Sequence, residues 1–135
     1  MRACVASLMA FPSPTVAMGV FLAGGLGAVF RYGLAAVLDS AVGPRVPQAG
    51  VMVCNVVGCL AIGFVAVAVT SPAWRAVVMA GLLGGLTTYS AFALFSTQAL
   101  LDGRWVQFIG HLGAQLVSGV VAVGAGGWLA RRMLG

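Results

Sequence analysis

The chain contains no lysine and no glutamate, and its only acidic residues are Asp39 and Asp102. Charged residues of every kind make up 7% of 135 positions. Charge that sparse excludes the solvated surface of an ordinary soluble domain, where about a quarter of residues are charged. A nucleic-acid interface is excluded as well, because the formal charge of +5 rests on scattered arginines with no basic soluble surface to carry them. The scarcity of carboxylates bears on transport too. A proton-coupled multidrug exporter of this size needs a carboxylate within the membrane to bind proton and cation alternately, and both aspartates lie at the ends of apolar runs. Cys4, Cys54 and Cys59 have no paired-ligand spacing, so neither a zinc site nor a disulfide framework is indicated. The single histidine, His111, has no acidic partner in its run and no nucleophile motif accompanies it, which argues against an enzyme.

What the chain has instead is apolar sequence: 61% of its residues, with a mean hydropathy of +1.10. This is the composition of an all-α integral membrane protein. At about 20 residues per crossing, the whole length, residues 1–135, is taken up by one unit of four transmembrane helices with short connections. The apolar runs predict spans over 16–38, 51–69, 77–101 and 106–130, separated by Gly43-Pro44-Arg45-Val46-Pro47, Thr70-Ser71-Pro72 and Asp102-Gly103-Arg104-Trp105. The arginine and short apolar stretch of Met1 to Pro14 have some signal-peptide character, but the full-length run after Pro14 favours a retained first helix preceded by a tail. Four spans put both termini on one side. That side carries Arg2, Arg75, Arg131 and Arg132, against Arg45, Arg104 and Arg31 on the other. The small excess favours cytoplasmic termini and leaves insertion in both orientations open.

The third run is interrupted by Gly84-Gly85-Leu86-Thr87-Thr88-Tyr89-Ser90-Ala91-Phe92. A glycine-rich polar break survives in hydrocarbon only where protein or water satisfies the freed backbone groups, which makes it a candidate ion site. The polar groups within the spans are neutral: Asn55, Thr87, Thr88, Tyr89, Ser90, His111, Gln115 and Ser118. Neutral donors suit a small anion that must shed water and still depart, since a fixed cation would hold it too tightly. Tyr89 and Phe92, three residues apart on one helical face, can offer the positive edges of their rings.

Three motifs in order carry a family resemblance. Gly24-Gly25-Leu26-Gly27-Ala28-Val29-Phe30-Arg31-Tyr32, Asn55-Val56-Val57-Gly58 and Gly81 through Phe92 resemble the Fluc (CrcB) fluoride channels over nearly the whole chain. The resemblance implies an antiparallel, dual-topology dimer in the cell membrane, with fluoride pores along the subunit interface and a central sodium ion that is structural and not transported. On that pattern Gly84 and Thr87 offer backbone carbonyls to sodium, Asn55 donates its amide to fluoride, and Tyr89 and Phe92 turn ring edges to the anion. Ser90 belongs to the same pathway, as do His111 and Gln115, four residues apart on the last span. Arg31 closes the first motif as a vestibule cation or as an interfacial anchor. The function implied is passive export of cytoplasmic fluoride: hydrogen fluoride enters as a neutral acid, ionises, and the trapped anion leaves down its gradient. Gly24, Gly27, Gly58 and Gly63 are read as packing glycines.

The sequence also departs from the family pattern. Tyr89 stands for the usual phenylalanine, Ala91 for a threonine, Phe95 for a common glutamate and Val51 for a threonine, while His111 and Gln115 stand at positions commonly held by hydroxyl or amide groups. A modified homodimeric pore accommodates these changes. So does a subunit whose paralogous partner, in a heterodimer, supplies the missing groups or carries the conduction.

Overall fold

The computed structural model describes residues 12–42 and 48–135, and every regular element in it is helical. Arg2, Cys4 and Arg45 lie outside the described residues. Helix α1 spans Pro14–Val42 and α2 spans Ala49–Ala68. The third crossing is composite. Its first part, α3, opens with a turn at Pro72–Arg75, widens to π geometry over Ala76–Leu83 and closes with a turn at Gly84–Leu86; its second part is α4, Tyr89–Leu101. Helix α5 spans Trp105–Leu134. The stretches Pro14–Val42, Ala49–Ala68, Pro72–Leu101 and Trp105–Leu134 are each long and apolar enough to cross a bilayer, which makes this a multi-pass membrane protein.

Local chemistry sets where the helices begin. Pro14 and Pro72 occupy first-turn positions, where the fixed φ of proline is already helical and its missing N–H costs nothing. Ser13 adds a cap, its hydroxyl accepting from the Val16 amide at 3.4 Å. Asp39, on the last turns of α1, accepts the Gly50 amide at 2.9 Å. A carboxylate is thus placed at the N-terminal end of α2, where it meets an otherwise orphaned donor and the positive end of the helix dipole.

Two close helix pairings make the frame: α2 lies along α5, and α1 along α3. Lipid offers no hydrophobic drive for helices to associate, so tight contact must come from small residues. A methyl added at Gly126 would lie 2.0 Å from the Leu60 carbonyl oxygen, and one at Gly27 would lie 2.2 Å from that of Leu82. Gly58 and Gly63 are similarly crowded, whereas Gly24 leaves ordinary room for a methyl, so its expected packing role falls instead to Gly81, Gly85 and Gly126. Cys54 is fully buried and packs with Leu83 and Leu86, placing a small dry core beside the interruption of the third crossing.

Candidate functional site at the helix break

The interruption is narrower than the polar run in the sequence. Only Thr87 and Thr88 leave the helix, at φ/ψ of −88°/154° and −148°/115°, while Gly84–Leu86 before them and Tyr89 after them are helical. The two-residue step is held from both sides. The Thr87 amide and hydroxyl both donate to the Leu83 carbonyl at 3.0 Å, closing the end of α3. Thr88 starts α4 as its cap, its hydroxyl accepting the Ala91 amide at 3.3 Å.

Asn55, on α2, grips the step at its centre. Its Oδ1 accepts the Thr88 amide at 2.8 Å, and its Nδ2 donates to the Thr88 carbonyl at 3.2 Å and to Gln115 Oε1 at 3.4 Å. In an unbroken helix the Thr88 amide would close onto the carbonyl of Gly84, four residues earlier. Asn55 diverts that donor. The neighbouring Gly85 carbonyl is taken by Arg31, whose Nε donates at 3.2 Å from α1. Arg31 therefore stands at the back of the break, where a cation also meets the negative end of a helix dipole. It is the C-terminal tether of α3, a contact that neither the vestibule nor the anchor reading includes.

In front of the break lies an open groove of about 320 Å³, walled by Asn55, Gly58, Cys59, Ile62, Met79, Leu83, Gly84, Thr87, Thr88, Tyr89, Phe92, Gln115 and Leu116. Of the residues singled out in the sequence, Asn55, Gly84, Thr87, Tyr89, Phe92 and Gln115 meet here. Gly58, expected to serve packing alone, also forms part of this wall, with Thr87 packed against it. Three other candidates are not on the wall. Ser90 is exposed on the first turn of α4, its hydroxyl 3.1 Å from that of Thr88. Arg31 is behind the break. His111 stacks on Phe92, with ring centres 5.4 Å apart and planes at 29°, and meets the Phe95 ring edgewise at 4.7 Å.

The rings form a continuous row. Tyr89 is exposed and tilts against buried Phe92 at 5.7 Å; Phe92 meets His111, His111 meets Phe95, and the Arg104 guanidinium lies 5.9 Å from the Phe95 ring centre. Sequence reading missed Phe95 as a member of this row, and missed Thr88 as the residue that Asn55 holds. The spacing of Phe92 and Phe95 at three residues was the available signal for the first. The second has no signal along the chain, since Asn55 and Thr88 are 33 positions apart. Ser118 turns its hydroxyl back to the Ala114 carbonyl of its own helix.

Chemically, the groove has neutral amide and hydroxyl groups, ring edges and backbone carbonyls, but no carboxylate. Asp39 is held at the start of α2, and Asp102 pairs with Arg104 at 2.9 Å. Such a wall tolerates an anion.

Comparison with known proteins agrees with this architecture. Residues 18–127 match the family model described as CrcB-like protein, Camphor Resistance (CrcB). A protein of Solibacter usitatus named fluoride-specific ion channel FluC is 40% identical over 119 residues, covering 84% of this chain and 96% of the relative. Proteins of the same name from Nitratidesulfovibrio vulgaris and Chloroflexus aurantiacus are 36% and 33% identical, covering 78% and 82% of this chain and 88% and 94% of their own lengths. With four spans, a break at the expected motif and a match running from the first helix into the last, the chain belongs to the CrcB family.

Proposed function

We propose that this chain is the subunit of a fluoride channel in the cell membrane that lets the anion leave the cytoplasm passively. The observation that carries the reading is the groove itself: Asn55, Phe92 and Gln115, from three separate helices, converge on a helix break with no carboxylate among them. Fluoride must exchange water for other donors as it passes. Neutral amide N–H groups and the positive edge of Phe92 replace that shell without binding so strongly as to trap the ion. Asn55 serves chiefly by fixing the break and orienting the Gln115 carboxamide, because its own amide already donates to Thr88 and Gln115. Tyr89, exposed beside Phe92, offers its ring edge and hydroxyl at the outer wall. Ser90, in the first turn of α4 beside the Thr88 hydroxyl, extends the polar face along which the ion approaches.

The reading includes a homodimer of antiparallel subunits. The groove is open on the surface of one subunit, so a second copy is what would roof it, and lipid would cover the remaining apolar faces. A structural sodium ion fits the chemistry of the break. Diversion of the Thr88 amide to Asn55 frees the Gly84 carbonyl, Thr87 carries another at the step, and carbonyl oxygens are hard ligands suited to an alkali cation. Bound there by the Gly84 and Thr87 carbonyls, sodium would neutralise the freed backbone dipoles.

Fluoride efflux from liposomes containing the purified chain, with sodium present and chloride as the comparison anion, tests the reading. Fluoride-selective efflux is the expected result. Correctly dimerised, sodium-loaded protein that passes no fluoride would overturn a self-sufficient channel and leave the partner-dependent subunit of a heterodimer.

A further inference from the structure

On α5, two buried nitrogen atoms have no hydrogen-bond partner among the described residues: Nε2 of His111, beside Phe92, and Nε2 of Gln115, on the groove wall. Four residues apart, they lie one helical turn from each other. The Gln115 carboxamide is oriented by Asn55, which donates to its oxygen and leaves its NH₂ side unmatched. An amide nitrogen only donates, so its complement is an acceptor. The imidazole lies between Phe92 and Phe95, and neither ring has a lone pair to offer an N–H.

The charges around His111 explain what a proton would do there. Helix α5 packs against α2 and α4. From α4 come Phe92 and Phe95, with the Tyr89 phenol beyond Phe92. The ionisable groups of α2 are the Cys54 and Cys59 thiols. Arg104, at the start of α5, is separated from the imidazole by the Phe95 ring and is paired with Asp102. The only other carboxylate, Asp39, is bound to Gly50. An imidazolium at this position has aromatic faces on which to rest and no protein carboxylate to neutralise it.

We propose that His111 is a proton-linked fluoride-binding group, which takes a proton from water as the anion arrives so that the imidazolium and the Gln115 amide hold fluoride together past the edge of Phe92. This deepens the channel reading above and rests on it. No covalent bond other than N–H forms, and the proton returns to water as the anion leaves. Fluoride is then held more tightly in acid and departs more slowly.

The sequence contains one histidine, so histidine-selective isotope labelling of the full chain in lipid nanodiscs gives a single imidazole signal to titrate by NMR. Saturating sodium fluoride is expected to raise the His111 titration midpoint by about one pH unit relative to equal sodium chloride, a roughly tenfold preference of fluoride for the imidazolium form. His111→Gln keeps a neutral donor that cannot titrate. Its protein-dependent efflux, after subtraction of leak from empty liposomes, is expected to stay level as the pH falls through the His111 midpoint read by NMR, where efflux through the unaltered chain slows. An identical midpoint in fluoride and chloride overturns the proposal. If efflux persists in that case, the channel reading stands; if fluoride moves the midpoint but no efflux occurs, binding at His111 stands and conduction is what fails.

Discussion

At the scale of single residues, Asn55 does the most, since one carboxamide satisfies both the N–H and C=O of Thr88 and also orients Gln115. Asn55→Asp keeps the acceptor and removes both donated bonds, setting a negative charge against the Thr88 carbonyl and in the proposed path of the anion. Loss of a buried donor costs on the order of 1–3 kcal/mol, and repulsion of the anion adds to it. Fluoride efflux is therefore expected to fall by at least about 100-fold, the equivalent of roughly 2.7 kcal/mol, with the elution volume on size-exclusion chromatography unchanged; efflux near the original rate would remove Asn55 from the proposed pathway. Gly58 is a second sensitive point. A methyl there would lie 2.3 Å from Thr87 Cγ2, so Gly58→Ala is expected to displace Thr87 and raise the sodium concentration needed for half-maximal efflux. An unchanged sodium dependence would argue against Thr87 as a ligand.

At the scale of elements, the third crossing is two helices meeting at a step, and each has its own terminator. Thr87 closes α3 onto Leu83 and Thr88 opens α4 onto Ala91. The π geometry of Ala76–Leu83 lies directly upstream, in keeping with the tendency of such stretches to occur at functional sites. Thr88→Val keeps the shape and removes the cap, with an expected loss of about 1 kcal/mol of local stability. Hydrogen exchange should read this as faster exchange at Tyr89, Ser90 and Ala91 while the amides of α2 stay protected. Equal acceleration throughout would mean that the cap is incidental to the step. Gly27→Val tests the other half of the crossing. The new side chain enters the 2.2 Å approach to the Leu82 carbonyl, and overpacking of that kind costs typically 1–3 kcal/mol, so a lower melting temperature in detergent is expected without any change to a charged or polar group.

At the scale of the whole molecule, the outward surfaces of α1 and α5 are apolar and bare, from Phe21, Leu26 and Phe30 to Val106, Val117 and Val120. Lipid suits such surfaces, but it cannot satisfy the Gln115 nitrogen or the freed carbonyls beside them. A second subunit over the groove would shield that polar wall from hydrocarbon. Cys59 provides the test, because it is part-exposed on the groove wall while Cys54 is buried. In a Cys4→Ser background, maleimide is expected to label Cys59 slowly in the proposed dimer and rapidly in dissociated subunits in detergent. Rapid labelling in both states would place the subunit interface elsewhere.

The sequence by itself determined the setting and the count of helices, because in a bilayer long apolar runs and their punctuation leave few other solutions. It also marked the break, since Gly84 through Phe92 is a polar interruption that hydrocarbon would not tolerate unaided. It placed Asn55, Phe92 and Gln115 in one pathway by resemblance and polarity. Tertiary structure decided what each of them touches. Only packing of α2 and α5 against the step gives Asn55 its hold on Thr88, only the crossing of α1 behind α3 turns Arg31 into a tether on Gly85, and only the pairing of α4 with α5 sets His111 between Phe92 and Phe95. The physical reason is separation along the chain. Apolar runs and helix breaks are local properties written in neighbouring residues, whereas these contacts join positions 33 and 54 residues apart or lie across different helices, where one turn of helix rotation would replace every partner.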